Sequence, residues 1–564
     1  MSNKLSVSSN CIVVTCEPDD TDTLHKLQQF YPVHSNRKKT EHRLSVRQLP
    51  EVLQTFRGDK LDKLPAAIHC MYMRELLARD VTAQLISYGP TESPVVNEHL
   101  TLKSHQQMGL EIAKTRDRFC FFFDTRTGKT PLSLSIINDD IQHNPDHKWL
   151  VICPLILIDN AWLCDAATFV PDIKVVNCHG ATKAKRLKAI ESEASIYVTN
   201  TESFATYKEY FDKVGFHGCI VDESSDMKSY KSKLSKAIVD FAQTVKRMYL
   251  LSGSPAPNGE WEYYMQLKAI DYYSVAPSWT QFKEHFFVDV SFSQYEQLQM
   301  RPDRKEEFNE LLRNYAVYVD KEDVLTLPGR DFIEYTFEMP EHLKKHYRTL
   351  KNDLYIQVAD DKKLTAPSSA AKLNKLNQVT SGFIIDTQAV KENAFYTDSN
   401  LSEWYLLDDY RFKKLQELLG SPDLRDEQVL IWANYRKEFE IIKSMLGERC
   451  RCIYGGTTID EKNEAIRLFK SGEIQYLIAN PASADKGLTL TNAHICIYFS
   501  LNWSYELYKQ SMDRIYADVS KQPHKCIYYI MMAKHSIDEI LYRDVLQNKK
   551  DASYAVLNHL KGGI

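Results

Sequence analysis

The run Arg118-Phe119-Cys120-Phe121-Phe122-Phe123-Asp124-Thr125-Arg126-Thr127-Gly128-Lys129-Thr130 decides the fold. Residues 119–123 are apolar without a break, which predicts a strand buried on both faces, and the residues from Thr130 onward carry the pattern of a helix. Between them lies a polar loop ending in Gly-Lys-Thr. Strand, loop, Gly-Lys-Thr and helix is an arrangement that holds phosphate. Backbone N–H groups of Thr127 and Gly128 at the helix start surround phosphate oxygens, Lys129 reaches the outer ones, and the Thr130 hydroxyl ligates magnesium. The loop departs from G-x-x-x-x-G-K-[ST] at one place, because Phe123 stands at the first glycine.

Working outward, short apolar runs alternate with amphipathic stretches from Leu100 to about Ile270, which predicts a parallel sheet with helices on both faces. The candidate strands are 119–123, 149–153, 173–177, 195–199, 218–222 and 248–251. Strand 218–222 runs into Asp222-Glu223-Ser224-Ser225, and strand 248–251 into Ser252-Gly253-Ser254-Pro255 with Asn258 beyond. An aspartate at a strand end can hold magnesium through water, and the adjacent glutamate can orient or deprotonate an attacking water. Either carboxylate alone reads as a surface or capping residue. After a buried strand and downstream of Gly-Lys-Thr, the pair reads as catalytic.

Length and composition bound the rest. A chain of 564 residues holds three or four domains at about 100 to 200 residues each. The formal net charge of −4 carries no global nucleic-acid signature, so any such contact must use local basic patches. The twelve cysteines lack metal-type spacing, since the closest pair, Cys450 and Cys452, is C-x-C; they read as reduced thiols of a cytosolic protein. The longest apolar run, 149–158, is too short to span a membrane, and no leader pattern is visible.

Residues 1–97 read as a small α+β domain closed by the turn-rich stretch 89–94, with strands in 11–16 and 42–49 and helices in 21–30 and 49–56. The cations Arg37, Lys38, Lys39, His42, Arg43 and Arg47 cluster there, either as a solvated basic loop or as a contact to a DNA backbone. Residues 98–275 form the first lobe. From 276 to 408 the clean alternation lapses, and amphipathic patterns near 278–287, 295–315, 341–357 and 366–378 predict helical insertions. It returns over 409–564, with strands near 428–433, 451–454, 475–479, 494–499 and 526–532 and a helix over 460–470 capped by Thr458 or Asp460. This second lobe has no Gly-Lys-Thr of its own, so it reads as a partner that closes over the first.

In order along about residues 100–545, these segments resemble the Swi/Snf-like branch of superfamily-two helicases, in a compact form like those of bacteriophages and bacteria. Leu102-Lys103-Ser104-His105-Gln106 resembles the adenine-reading entry motif, 124–130 motif I, Asp222-Glu223-Ser224-Ser225 the DEAH box, and Ser252 to Asn258 the coupling motif S-G-T-P-x-x-N. Cys153-Pro154 with Trp162, and Thr199 to Ser203, look like DNA-contacting motifs. Lys321-Glu322-Asp323-Val324 with Leu327-Pro328, and Leu376 to Phe383, resemble marks of the connecting region. Motif IV matches 429–435, motif V matches Lys486 to Thr491, Asn502-Trp503 stands at W-N-P, and Gln510 to Tyr516 begins motif VI.

The resemblance implies an α/β fold of two RecA-like parallel-sheet lobes. It also implies ATP and Mg2+ as ligands and duplex, forked or branched DNA as partner, with no membrane. ATP would lie between the lobes, touched by Gln106, Arg126, Thr127, Gly128, Lys129, Thr130, Gly487 and Gln510. Thr130 and Asp222 would hold the metal, Glu223 would position water, and Arg514 would reach the phosphates. Two departures stand out. Arg126 replaces the usual glycine two residues before Gly128, and either strengthens nucleotide binding or points to solvent. Ala517 replaces the second arginine of motif VI, a position worth roughly 10³ to 10⁵ in rate in other phosphoryl-transfer systems. Either Arg514 serves alone, Arg126 or Lys521 substitutes, or hydrolysis is weak. The alternatives to a DNA translocase are therefore a degenerate ATP-dependent clamp and an RNA-directed helicase. The N-terminal unit loosely resembles the substrate-recognition modules of annealing helicases. The compact form points to the cytoplasm of a bacterium or phage-infected host, and no histone-reader module or long basic tail is visible.

Overall fold

The structure, a computed structural model, describes residues 4–7, 11–57, 65–89, 95–97, 99–290, 298–353, 355–359, 362–365, 369–385, 404–484 and 488–547. The chain divides into two compact units, one within Met1–Leu325 and one within Thr326–Asp551.

The first unit is organised on a seven-stranded, all-parallel sheet. Its strands are β1 (Arg118–Phe123), β2 (Trp149–Cys153), β3 (Val175–Asn177), β4 (Ile196–Asn200), β5 (Gly218–Asp222), β6 (Arg247–Leu251) and β7 (Ala316–Val319). They lie in the order β7-β1-β6-β5-β2-β4-β3. The unbroken apolar runs are explained by cores on both faces. Phe119, Phe121 and Phe123 of β1 enter one core with Trp149, Val151, Tyr249 and Leu251, while Cys120 and Phe122 enter the other with Leu150, Ile152, Met248 and Leu250. At the N-terminal ends of the strands, buried Asp140 accepts from Trp149 Nε1 at 2.8 Å. It also lies 3.0 Å from His147 Nδ1 and 3.5 Å from Arg247 Nη1. The His147 and His217 rings stack there at 3.5 Å and 13°.

The N-terminal segment is built onto this sheet. Its own antiparallel sheet, in the order Lys4–Val7, Ile12–Thr15, Glu41–Leu44, His34–Ser35, packs Ile12, Val14 and Leu44 against Leu49, Val52 and Leu53 of helix Leu49–Arg57. Ser45 Oγ donates to the Asp271 carboxylate, to which Tyr315 OH also donates at 2.9 Å, and His34 Nε2 donates to Val275 O at 2.9 Å. Arg47 donates to the carbonyls of Asn314 and Arg118 and lies 4.0 Å from the Tyr315 ring centroid. A long helix, Ala66–Tyr88, follows and pairs Glu75 with Arg116 at 2.8 Å, both mostly buried.

The second unit carries a six-stranded, all-parallel sheet of β8 (Arg330–Phe337), β9 (Val429–Trp432), β10 (Cys450–Ile453), β11 (Tyr476–Ala479), β12 (Ile495–Tyr498) and β13 (Cys526–Ala533), in the order β8-β13-β12-β9-β11-β10. Its central strands are again buried on both faces, Val429 and Ile431 on one side and Leu430 and Trp432 on the other. Beneath them Arg411, 1% exposed, pairs with Asp538 at 2.7 Å and donates to the carbonyls of Phe499 and Met531. Thr458 caps helix Ile459–Ser471 in a reciprocal box with Glu461, which chooses between the two caps the sequence allows.

The stretch 276–408 is not solely helical insertion. Helices Trp279–Phe286, Lys305–Arg313, Glu341–Asp353 and Ser369–Thr380 lie in it, but so do β7 and β8, an edge strand of each sheet. Four apolar residues inside charged sequence hide β7. The largely exposed, mixed sequence Arg-Asp-Phe-Ile-Glu-Tyr-Thr-Phe hides β8.

Candidate nucleotide site

Three adjacent strands, β1, β6 and β5, end side by side in the loop 124–130, in Ser252-Gly253 and in Asp222-Glu223. The C-terminal edge of a parallel sheet is where such folds place ligands.

The loop turns on left-handed backbone. Gly128 has φ +83° and ψ +50° and precedes helix Lys129–His143. Arg126 has φ +66°, so the conformation suited to the family's glycine is kept with an arginine in it. Thr127 is buried and its hydroxyl donates to Asp124 O at 2.7 Å, closing the turn. Lys129 Nζ donates to Phe123 O at 3.1 Å and Asp124 O at 3.4 Å.

The entry helix Ser104–Thr115 clamps this loop from one side. Gln106 Nε2 donates to Thr127 O at 3.1 Å and Gly128 O at 3.2 Å, while its Oε1 accepts from Lys103 N at 2.9 Å. The amide is thus committed to backbone. Buried His105 donates through Nε2 to Thr127 O at 2.7 Å, and burial holds its ring below the usual imidazole range. On the other side, a Cβ at Gly253 would lie 3.2 Å from Thr125 N and 3.4 Å from Asp124 Oδ1, so the coupling turn touches motif I by backbone. Lys321, 3% exposed, brings its ammonium to 4.0 Å from the fully buried Asp124 carboxylate.

Asp222 is 4% exposed. Oδ1 accepts from Glu223 N at 3.0 Å and Oδ2 from Trp162 Nε1 at 3.0 Å. Burial, with Glu223 beside it, pushes this carboxyl up to about 6 against the opposing pull of Lys129 and the two hydrogen bonds. Glu223 itself has φ +55° and ψ +56°, a strained conformation of the kind found at working sites. Behind the pair, Ser224 Oγ donates to Gln266 Oε1 at 2.8 Å and Gln266 Nε2 donates to Pro255 O at 2.7 Å, tying the DEAH-like turn to the coupling motif.

These residues fit a magnesium nucleotide. A helix start on a left-handed glycine presents open N–H groups, an ammonium lies beside them, and a buried carboxylate keeps further lone pairs. Thr130 sits half-buried in the first turn of that helix.

Two motifs look different in the structure. Trp162 is 1% exposed and bonded to Asp222, so it is not a surface contact for DNA; of Thr199 to Ser203, only Thr201 and Glu202 are not buried. Leu376 to Phe383 is a packing hub: Asn377 bonds Leu501 O, Thr380 bonds Asp538 and Ser381 bonds Glu438. In the second unit Arg514 is buried and donates through Nη1 to Leu488 O at 3.2 Å, Gln510 Nε2 lies 3.4 Å from Glu506, and Ala517 is 2% exposed. Lys521 is exposed. Gly487 lies outside the described residues. Of the basic cluster, His42 is buried and Arg47 is bound within the fold, which leaves Arg37, Lys38 and Lys39 exposed and Arg43 paired with Glu41.

Sequence reasoning missed Asp124 and His105 as loop supports and the Lys321 contact. It also missed Gln266, which sits mid-helix in Tyr263–Ile270 with no pattern to mark it.

Residues 105–391, just over half of the 564, match the family described as SNF2-related domain. The chain belongs to the SNF2-related family. Its residues 410–517 match the helicase conserved C-terminal domain, so it carries both helicase-type ATPase domains of Swi/Snf-like superfamily-two proteins. Among SNF2-related proteins it is 26% identical over 242 residues to the chromatin-remodeling ATPase INO80 of Aspergillus oryzae, covering 41% of this chain and 16% of that protein. It is 22% identical over 398 residues to the human SWI/SNF-related matrix-associated actin-dependent regulator of chromatin subfamily A member 1 (66% and 35% covered). The Drosophila melanogaster subfamily A-like protein 1 is 20% identical over 432 residues (75% and 51%). The chain thus spans about half or less of these relatives. A solved SNF2-related structure, the Sulfolobus solfataricus SWI2/SNF2 ATPase core in complex with dsDNA, is 18% identical with a TM-score of 0.38, covering 82% of this chain and 97% of that one. No described helix is long and apolar enough to cross a membrane.

Proposed function

We propose that this chain is an ATP-dependent DNA translocase, hydrolysing ATP on duplex, forked or branched DNA in replication, repair or recombination, in the cytoplasm of a bacterium or phage-infected host. The observation that carries the reading is the convergence of Lys129, beyond the end of β1, with Asp222 and Glu223, at the end of β5, on either side of the turn that ends β6, with Ser224 and Gln266 locking the last two of these turns together.

ATP is the substrate in this reading. Lys129 and the N–H groups of 127–130 hold its outer phosphates, and Arg126 adds a cation on the same loop. Thr130 and Asp222 would hold Mg2+, which when bound neutralises developing phosphate charge. Glu223 orients the attacking water and takes its proton as the new bond to phosphorus forms and the bond to the ADP oxygen breaks. A contact of Gln106 with the base would exchange one of its present bonds to the loop. In the second domain Arg514, Gln510 and Gly487 stand in this proposal as residues that respond to nucleotide. The relatives' names, chromatin-remodeling ATPase and regulator of chromatin, support DNA over RNA as the polymer.

ATP turnover by the full chain, compared without nucleic acid and with single-stranded DNA, duplex, forked DNA, nucleosomes and duplex RNA, tests this. Turnover should rise at least tenfold with duplex or forked DNA and vanish in Lys129→Ala and Glu223→Gln. Greater stimulation by RNA would overturn it. Ala517 favours one second reading, a clamp that binds ATP and DNA without turning over; nucleotide binding with no turnover on any polymer would select it.

A further inference from the structure

We infer that Trp162 is a positioning residue for the metal carboxylate, acting through its indole N–H on Asp222 Oδ2. The inference rests on the proposed nucleotide reading and concerns how that site is built.

The geometry is specific. Trp162 lies in Ile158–Leu163, a π-helical turn between Leu155–Leu157 and Cys164–Phe169, and such turns are rare and concentrate at functional sites. Its ring is 1% exposed, packed in the same core as Phe121, Phe123 and Val151. Packing alone would be served by phenylalanine or leucine on an ordinary helical turn. Here the turn delivers the N–H to a carboxylate at 3.0 Å across 60 residues of chain. Asp222 then has one donor on each oxygen, Glu223 N on Oδ1 and Trp162 Nε1 on Oδ2. Two fixed donors set the plane of the carboxylate and favour its ionised form, and both are needed before a buried aspartate can serve a cation. Glu223 N is a backbone donor carried on the same strand end. Trp162 donates to Asp222 from a different element, the one following Pro154, so the orientation of the carboxylate is tied to that segment.

The test is equilibrium binding of a fluorescent ATP analogue with Mg2+ and with EDTA, on the full chain and on Trp162→Phe, with circular dichroism confirming the fold of each. Wild type should bind more tightly with Mg2+. In Trp162→Phe the EDTA affinity should be unchanged, while the gain from Mg2+ shrinks by about ten- to a hundredfold, the range for a hydrogen bond to a charged group. An unchanged Mg2+ gain, or equal losses with and without Mg2+, overturns the inference and leaves a packing role. A wild type with no nucleotide binding at all overturns the nucleotide reading itself. If Trp162→Phe does not fold, 15N-tryptophan-labelled wild type decides. One of the seven indole N–H signals should move when Mg2+ is added to nucleotide-bound protein, and seven still signals overturn the inference.

Discussion

The side-chain amide of Gln106 lies over Gly128 so closely that a Cβ there would come within 2.0 Å of Nε2. With φ +83° as well, Gly128→Ala is opposed twice, by backbone strain of about 1–2 kcal/mol and by eviction of Gln106 from the loop carbonyls. We expect a lower melting temperature and at least tenfold weaker nucleotide binding. Adding Gln106→Ala should recover part of the stability but none of the affinity; strictly additive losses would show that the overlap is not the cause.

Arg126 gives the opposite sign. At φ +66° a glycine relieves strain, and after the extra backbone entropy of glycine Arg126→Gly should stabilise the protein by up to about 1 kcal/mol. ATP turnover should fall in the same variant. A faster, stabler enzyme would mean that the guanidinium contributes nothing to the chemistry.

Ser224 and Gln266 are both fully buried, so Ser224→Ala strands the Gln266 carbonyl oxygen without its donor. The expected loss is about 1–3 kcal/mol in chemical denaturation. A neutral result would show that the glutamine repacks.

In the second unit, Arg411→Met leaves Asp538 charged in the core, which should cost about 3–5 kcal/mol. Combining it with Asp538→Leu should return much of that loss. A double variant as unstable as the single would mean that the carbonyl bonds of Arg411, and not the ion pair, dominate.

His34, His42, His105 and His217 are all held below the ordinary value of 6.5, with burial the first cause in each and Lys246, Arg247 and His147 adding to it at His217. The folded protein resists protons that the unfolded chain accepts. Their stabilisation is therefore whole above about pH 6.5 and lost as pH falls below it. Melting temperature should decline between pH 6.5 and 5, and His217→Phe should flatten the slope. A flat profile over that range counts against these four rings.

The central strands were legible because each is apolar on two faces: 119–123 became β1 and 149–153 became β2 with little change at the ends. Motif order made Lys129, Asp222 and Glu223 legible as a set. What stayed hidden obeys other physics. Helix Ala66–Tyr88 has apolar residues around its whole circumference and so shows no stripe. Lys321 meets Asp124, and Trp162 meets Asp222, across long stretches of chain, and no local pattern encodes such meetings. The strain at Arg126 and Glu223 is likewise imposed by the surrounding fold, since neither residue type favours left-handed backbone.

The anchoring of Ser45 and Arg47 changes what the N-terminal sheet is for an experimenter. Arg118, whose carbonyl Arg47 caps, opens the strand that runs into the phosphate loop, and Tyr315, under the Arg47 guanidinium, precedes the strand beside it. A truncation at residue 97 would therefore uncover the floor of the ATPase lobe, and its loss of activity would say nothing about DNA choice. Whether this sheet touches nucleic acid at all is better asked by changing Arg37, Lys38 and Lys39, all exposed, in the intact chain, where charge goes and the floor stays.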